Sequence, residues 1–128
     1  MLVIVGLLLL LAYIMSGAFF NEPKTKDKPY GIIYKIENKI NHKVYIGQTT
    51  QKTVWHRYNC VNDHSKIVYN THNYQLKKDM IRYGIQNFEI TNAIDTAYSK
   101  NELNKKEKQW ICYYNSNKKG YNKTKGGN

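Results

Sequence analysis

Tyr34 and Tyr45, eleven residues apart, flank a break at Asn38-Lys39-Ile40-Asn41-His42 in a run that otherwise alternates β-branched and polar residues. Alternation, interruption and resumption spell a β-hairpin. With its loop centred on Lys39 and Ile40, the two phenols oppose each other at contact distance on one sheet face. Two phenols there can simply pack a core, or they can handle a proton. The later polar set of Arg57, Glu107 and Gly120-Tyr121-Asn122 tips the reading towards chemistry.

Glu107 is the most constrained of these. Ser99-Lys100-Asn101-Glu102 reads as a capping box, and a helix of about 15 residues follows. On it Leu103, Glu107, Trp110, Ile111 and Tyr114 share one face, while Lys105, Lys106 and Lys108 point outward. A carboxylate inside an apolar stripe needs a cation, a metal ion or hydrogen bonds. Residue spacing leaves a buried ion pair and a metal ligand both open.

The other elements are shorter. Thr53 can cap a helix through Val54, Arg57, Tyr58 and Val61, and residues 62–71 read as a polar loop. A second helix spans about Asn73 to Tyr83 and stops at Gly84. Phe88 to Ile94 reads as a third strand. The expected class is therefore α+β: a small three-stranded antiparallel sheet flanked by helices.

A chain of 128 residues has room for one domain. Its 20 Lys and Arg against 9 Asp and Glu give a net charge of +11, and every charge lies after position 20. Such a surface meets polyanions, nucleic acid first and anionic membrane second. Cys60 and Cys112 lack metal-ligand spacing and read as free thiols. No zinc pattern, helix-turn-helix or internal repeat appears after residue 30.

Taken together, Ile32-Ile33-Tyr34, Tyr45-Ile46-Gly47, Arg57, Tyr83-Gly84, Asn87-Phe88, Glu107 to Ile111, Gly120-Tyr121-Asn122 and Gly126-Gly127 resemble the GIY-YIG nuclease family. The resemblance covers residues 30 to 127, with the family glycine displaced so that the first triplet reads Ile-Ile-Tyr. It implies a DNA endonuclease that uses Mg2+ or Mn2+. Glu107 would hold the metal and Arg57 the phosphate. Tyr34 and Tyr45 would share the activation and hydrogen bonding of water, and Asn122 would fix Glu107 or the phosphate. Lys43 is a candidate charge partner for the phenols. Some relatives carry a histidine one helical turn after the arginine; that place is Val61 here, and His64 or His72 is the candidate substitute. Lys77, Lys78, Arg82 and Lys123 are expected on the DNA backbone, where contacts give salt-sensitive affinity with little sequence information. The alternative is a DNA-binding module that kept the fold and lost turnover.

The N-terminus reads as a separate object. Residues 2–20 carry no charge, and as a helix of about 28 Å they would cross a bilayer core of about 30 Å. Residues 21–29, with Pro23 and Pro29, read as an extended linker, and 30–128 as the nuclease-like domain. Lys24, Lys26 and Lys28 follow the apolar run, which places the domain on the cytoplasmic side of a single membrane anchor. A secretory signal is the rival reading, with Ser16-Gly17-Ala18 as its cleavage site. The anchor predicts that alkaline carbonate leaves the expressed protein in the membrane pellet; full recovery in the soluble fraction rejects it.

Overall fold

The computed structural model describes residues 28–127. The apolar run and all but the end of the linker lie outside the described residues. Strands β1 (Gly31–Asn38), β2 (Val44–Thr49) and β3 (Phe88–Ala97) form an antiparallel sheet of order β2-β1-β3. The expected α+β class is what the described residues show.

The hairpin turn sits one residue later than expected. Asn38 N donates to Lys43 O (2.9 Å), His42 N donates to Asn38 O (2.8 Å), and the Asn38 side chain accepts from Ile40 N (2.9 Å). These bonds centre the turn on Ile40 and Asn41, with His42 in the left-handed region (φ 64°). Tyr34 consequently pairs with Gly47, and Tyr45 with Ile36. The tyrosines are diagonal rather than direct neighbours. A two-residue shift in pairing keeps each side chain on its face, so both phenols still share one.

Both faces of the sheet are covered, which is why Ile33 and Tyr34, adjacent on β1 and pointing to opposite faces, are both fully buried. On one face Tyr34, Ile36 and Phe88 pack with Val54, Tyr58, Ile67, Leu76 and Met80. These come from α1 (Val54–Arg57), α2 (Ile67–Asn70), α3 (Tyr74–Tyr83) and the intervening chain. On the other, Ile33, Val44, Ile46 and Ala97 meet Leu103 and Ile111 of α4 (Lys100–Tyr114). A short α5 (Ser116–Lys119) follows.

Three local outcomes depart from the sequence reading. The first helix is one turn long, because Asn59 turns left-handed (φ 52°) and Cys60 N bonds back to Trp55 O. The polar stretch holds a 3-10 turn (His64–Lys66) and α2, organised around fully buried Ile67. At the head of α4, Ser99 accepts from Glu102 N as expected (3.1 Å), but Glu102 reaches Tyr98 N rather than Ser99 N.

β3 bulges opposite Tyr34. The pairing jumps from Ile33–Asp95 to Lys35–Thr91, and such extra residues re-aim the chain. Asn92, inside the bulge, accepts from Val54 N at 2.7 Å. The irregular part of β3 thereby caps the helix that carries Arg57.

Gly47 has a specific job. A Cβ there would stand 2.1 Å from Tyr34 Cζ and 2.3 Å from its hydroxyl, so the Tyr34 phenol lies across bare β2 backbone. Gly47→Ala is expected to destabilise the fold by roughly 1–3 kcal/mol through overpacking. Urea unfolding checks this, and pairing it with Tyr34→Ala should cost less than the two losses added.

Candidate active site

An open cleft of about 650 Å³ straddles the free edge of β2. Tyr34, Tyr45, Arg57 and Glu107 all line it, joined by Gln48 to Gln51, Lys100, Leu103 and Asn104. Four of the five side chains singled out in the sequence thus converge on one hollow from β1, β2, α1 and α4. Asn122 does not line it.

The phenols form a buried array. Tyr34 is only 1% exposed, and its hydroxyl shares a 3.0 Å hydrogen bond with that of Tyr58. Its ring lies 5.8 Å from Tyr58, edge-on, and 6.2 Å from Tyr45, tilted by 49°. Burial pushes the Tyr34 phenol well above its ordinary value, and the neighbouring Tyr58 and Tyr45 push it further. Burial also raises Tyr45; hydrogen bonding from Tyr34 and the charge of Arg57 oppose this, and Glu107 adds to it. Tyr58 is raised chiefly by burial as well. All three are protonated at neutral pH, since even the unperturbed phenol titrates near 10.

Tyr58 is a residue that sequence reasoning placed on a helix face and nothing more. Adjacency to Arg57 was its only signal. The guanidinium of Arg57 stands 5.6 Å from the Tyr58 ring centroid, favouring ionisation of all three phenols. Arg57 itself is exposed, with its charge free to meet an anion in the cleft.

Glu107 occupies the place its spacing required. Leu103 and Ile111, a turn to either side, are buried, while Glu107 is half-buried at the cleft wall. Its Oε1 accepts from Gly127 N at 3.0 Å. No group of three or more metal-binding side chains exists among the described residues. One carboxylate surrounded by phenol and amide groups suits a hard cation such as Mg2+, which keeps most of its own waters.

Asn122 is spent elsewhere. Its Oδ1 accepts from Ile46 N (2.9 Å) and its Nδ2 donates to Ile46 O (2.8 Å). Tyr121 N adds a bond to Val44 O (2.9 Å). β2 is an edge strand with outward-facing backbone groups, and an amide side chain is a good mimic of a missing strand partner. Asn122 therefore meets neither Glu107 nor the cleft directly. It anchors the tail that continues to Gly126, which packs on Glu107 and Ile111, and to Gly127, whose N–H bonds Glu107.

The assisting candidates stay outside the cleft. Lys43 Nζ lies 6.0 Å over the Tyr121 ring rather than near the phenol pair. His64 stacks flat on Trp55, centroids 3.8 Å apart, and His72 is an exposed residue between α2 and α3. Because α1 ends at Arg57, Val61 lies beyond the helix and is 48% exposed. Among the expected DNA contacts, Lys77 donates to Tyr69 O (3.4 Å) and Arg82 covers the Tyr83 ring (5.3 Å). Lys78 and Lys123 are exposed. Missed polar residues are Lys100, Gln48 and Asn104; Gln48 Nε2 donates to Asn104 Oδ1 (3.0 Å) across the wall.

Two solved structures share this fold. One is the catalytic domain of the homing endonuclease I-TevI, 28% identical, covering 73% of this chain and 98% of that one at a TM-score of 0.59. The other is a mutant form of the same intron endonuclease domain, 26% identical over 74% and 94% of the two chains, also at 0.59. No protein-family profile and no curated protein matches the chain. I-TevI is a GIY-YIG nuclease, and the likeness supports a GIY-YIG-type domain in the described residues. The likeness supports a nuclease.

The raised phenols have a stability consequence. Each is neutral in the fold and ionises more readily when unfolded, so its contribution is complete below about pH 10 and lost as pH climbs past it. The urea midpoint should therefore fall steeply above that pH, and Tyr58→Phe should flatten the fall. Asn122→Ala should cost about 1–3 kcal/mol by leaving Ile46 unpaired; an unchanged midpoint would show that the tail is not anchored there.

Proposed function

We propose that the protein is a metal-dependent DNA endonuclease that hydrolyses phosphodiester bonds. The observation that carries this is the shared cleft: two phenols, a guanidinium and a lone carboxylate open to solvent at one sheet edge. The likeness to the catalytic domain of a homing endonuclease supports it.

Arg57 is one of two exposed cations of the site, with Lys100. Its planar fork suits two phosphate oxygens, and its charge offsets what builds up in the transition state. Glu107 is the residue that would hold Mg2+ or Mn2+, which when bound supplies Lewis acidity to the phosphate and acidity to water. Gly127 N–H and the apolar turns around it keep Glu107 aimed at the cleft. Tyr45 is the better placed phenol to receive a proton from water, being half-buried, whereas Tyr34 is enclosed and tied to Tyr58. Tyr34, its ring centroid 6.2 Å from that of Tyr45, is the neighbour that most favours the ionised form of Tyr45. Tyr58 holds Tyr34 in that position.

The second reading is a DNA-binding module without turnover. Exposed Val61, where some members of the GIY-YIG family carry a histidine, favours it. One assay decides between them.

Purified protein should nick supercoiled plasmid with Mg2+ and stop when EDTA is added. Arg57→Ala and Glu107→Ala should each lower the rate by at least about 100-fold. DNA retention without nicking under any divalent metal would establish the binding module instead. Because the phenol that accepts the proton is raised by burial, the rate should climb with pH between 7 and 9, approaching tenfold per unit. Tyr45→Phe should flatten that limb; a flat wild-type profile would remove Tyr45 from the role of base.

A further inference from the structure

Three hollows follow one another along α4. The catalytic cleft shares Asn104 with a second hollow of about 320 Å³, whose walls also include Asn101, Lys105, Lys108 and Gly127. That one shares Lys108 with a third of about 490 Å³, which adds Lys118, Lys125, Asn115 and Asn117. The C-terminal tail lines the second and third hollows, through Gly127 and through Lys125 and Gly126. Gly126 packs on Glu107 and Ile111, and Gly127 on the stem of Lys108.

Charge is sorted along this path. Among the described residues, Glu107 is the only acidic one lining any of the three hollows. Their cations are Arg57 and Lys100 in the cleft, Lys105 and Lys108 in the middle, and Lys118 and Lys125 at the far end. None of these six forms a salt bridge among the described residues. The lysine between them in sequence, Lys106, is paired with both Asp95 and Glu102 at 3.0 Å on another face of α4. Successive helix residues turn by about 100°, which is enough to send Lys106 to its acids and leave Lys105 and Lys108 with the track.

We propose that this row of hollows is the track of a nucleic-acid backbone running from the cleft, with Lys105, Lys108, Lys118 and Lys125 on successive phosphates. The proposal rests on the endonuclease reading for the position of the first phosphate. From Lys100 to Lys108 the helix rises about 12 Å, the axial rise of three to four phosphates of one strand. Asparagine amides between the lysines donate hydrogen bonds to phosphate oxygens without reading bases. The α3 cations Lys77, Lys78 and Arg82 lie on the layer across the sheet, and two of them are engaged locally.

The test is binding of the full chain to a short labelled duplex, in EDTA so that no cleavage intervenes, over a range of salt. Lys105, Lys108, Lys118 and Lys125 changed together to Ala should weaken binding at least tenfold. They should also reduce the slope of log affinity against log salt by about 2–4, at roughly 0.9 per phosphate lost. The same four changed to Arg should restore both, which separates charge from folding. Lys77→Ala, Lys78→Ala and Arg82→Ala together should lower the slope by no more than about one. An α3 loss equal to or larger than the α4 loss overturns the track. So does a four-alanine variant that binds DNA normally but no longer binds phosphatidylserine vesicles, or one whose only deficit is in binding inorganic phosphate. Wild-type protein that binds with this pattern yet never nicks DNA overturns the endonuclease reading and leaves the track standing.

Discussion

The Tyr34 phenol lies over the bare backbone of Gly47, and the cleft exists because of that crossing. β1 is the central strand, so a tyrosine on it would ordinarily end inside the core beneath its neighbours. With no side chain at Gly47, the ring reaches across β2 to the edge, where Tyr45 stands diagonally beside it. Tyr58 closes the array from the helical side by holding the Tyr34 hydroxyl. The open rim of the sheet, normally a liability for a β-fold, is what lets a buried phenol pair communicate with solvent.

The same edge is where the tail does its work. Asn122 satisfies the outward N–H and C=O of Ile46, and the chain then runs on to place Gly127 N–H on Glu107. A single amide thus links strand order to carboxylate position over fifteen residues of sequence. Asn122 acts on the site as a positioning residue, through the tail. The bulge in β3 does the equivalent service for Arg57: Asn92 caps α1 at the moment the strand departs from regular pairing. Both irregularities aim charged side chains at the cleft from opposite layers.

What the sequence made legible was whatever a periodic pattern encodes. The 15-residue α4, its Ser99 cap and the half-buried place of Glu107 were readable, because capping and helical spacing are local properties. The sheet was readable from alternation, though the turn was not: Asn38 and Asn41 side-chain bonds chose a loop one residue later. The phenol pair survived that error because a shift by two preserves face. Tyr58 and the true partner of Asn122 were invisible for a different reason. Each depends on a contact between residues 24 or 76 positions apart, and no local pattern announces such a contact. His64 is a further case, because a histidine's chemistry says nothing about the tryptophan it covers.

Electrostatics gives the site its logic. Three phenols are neutral at neutral pH, as phenols ordinarily are, and burial extends that neutrality to higher pH, so among the described residues the cleft carries one carboxylate against two cations, Arg57 and Lys100. Were a phenol ionised at rest, it would repel an incoming phosphate and compete for Arg57. A phenol with a raised value is rarely ionised and so rarely a base, but it is a strong one once it loses its proton. Arg57 lies close enough to favour ionisation of all three phenols, and a cation held by Glu107 would act in the same direction. The arrangement therefore admits the anion first and lets base strength develop with the positive charge assembled around it. A carboxylate base in the same place would carry its negative charge from the start.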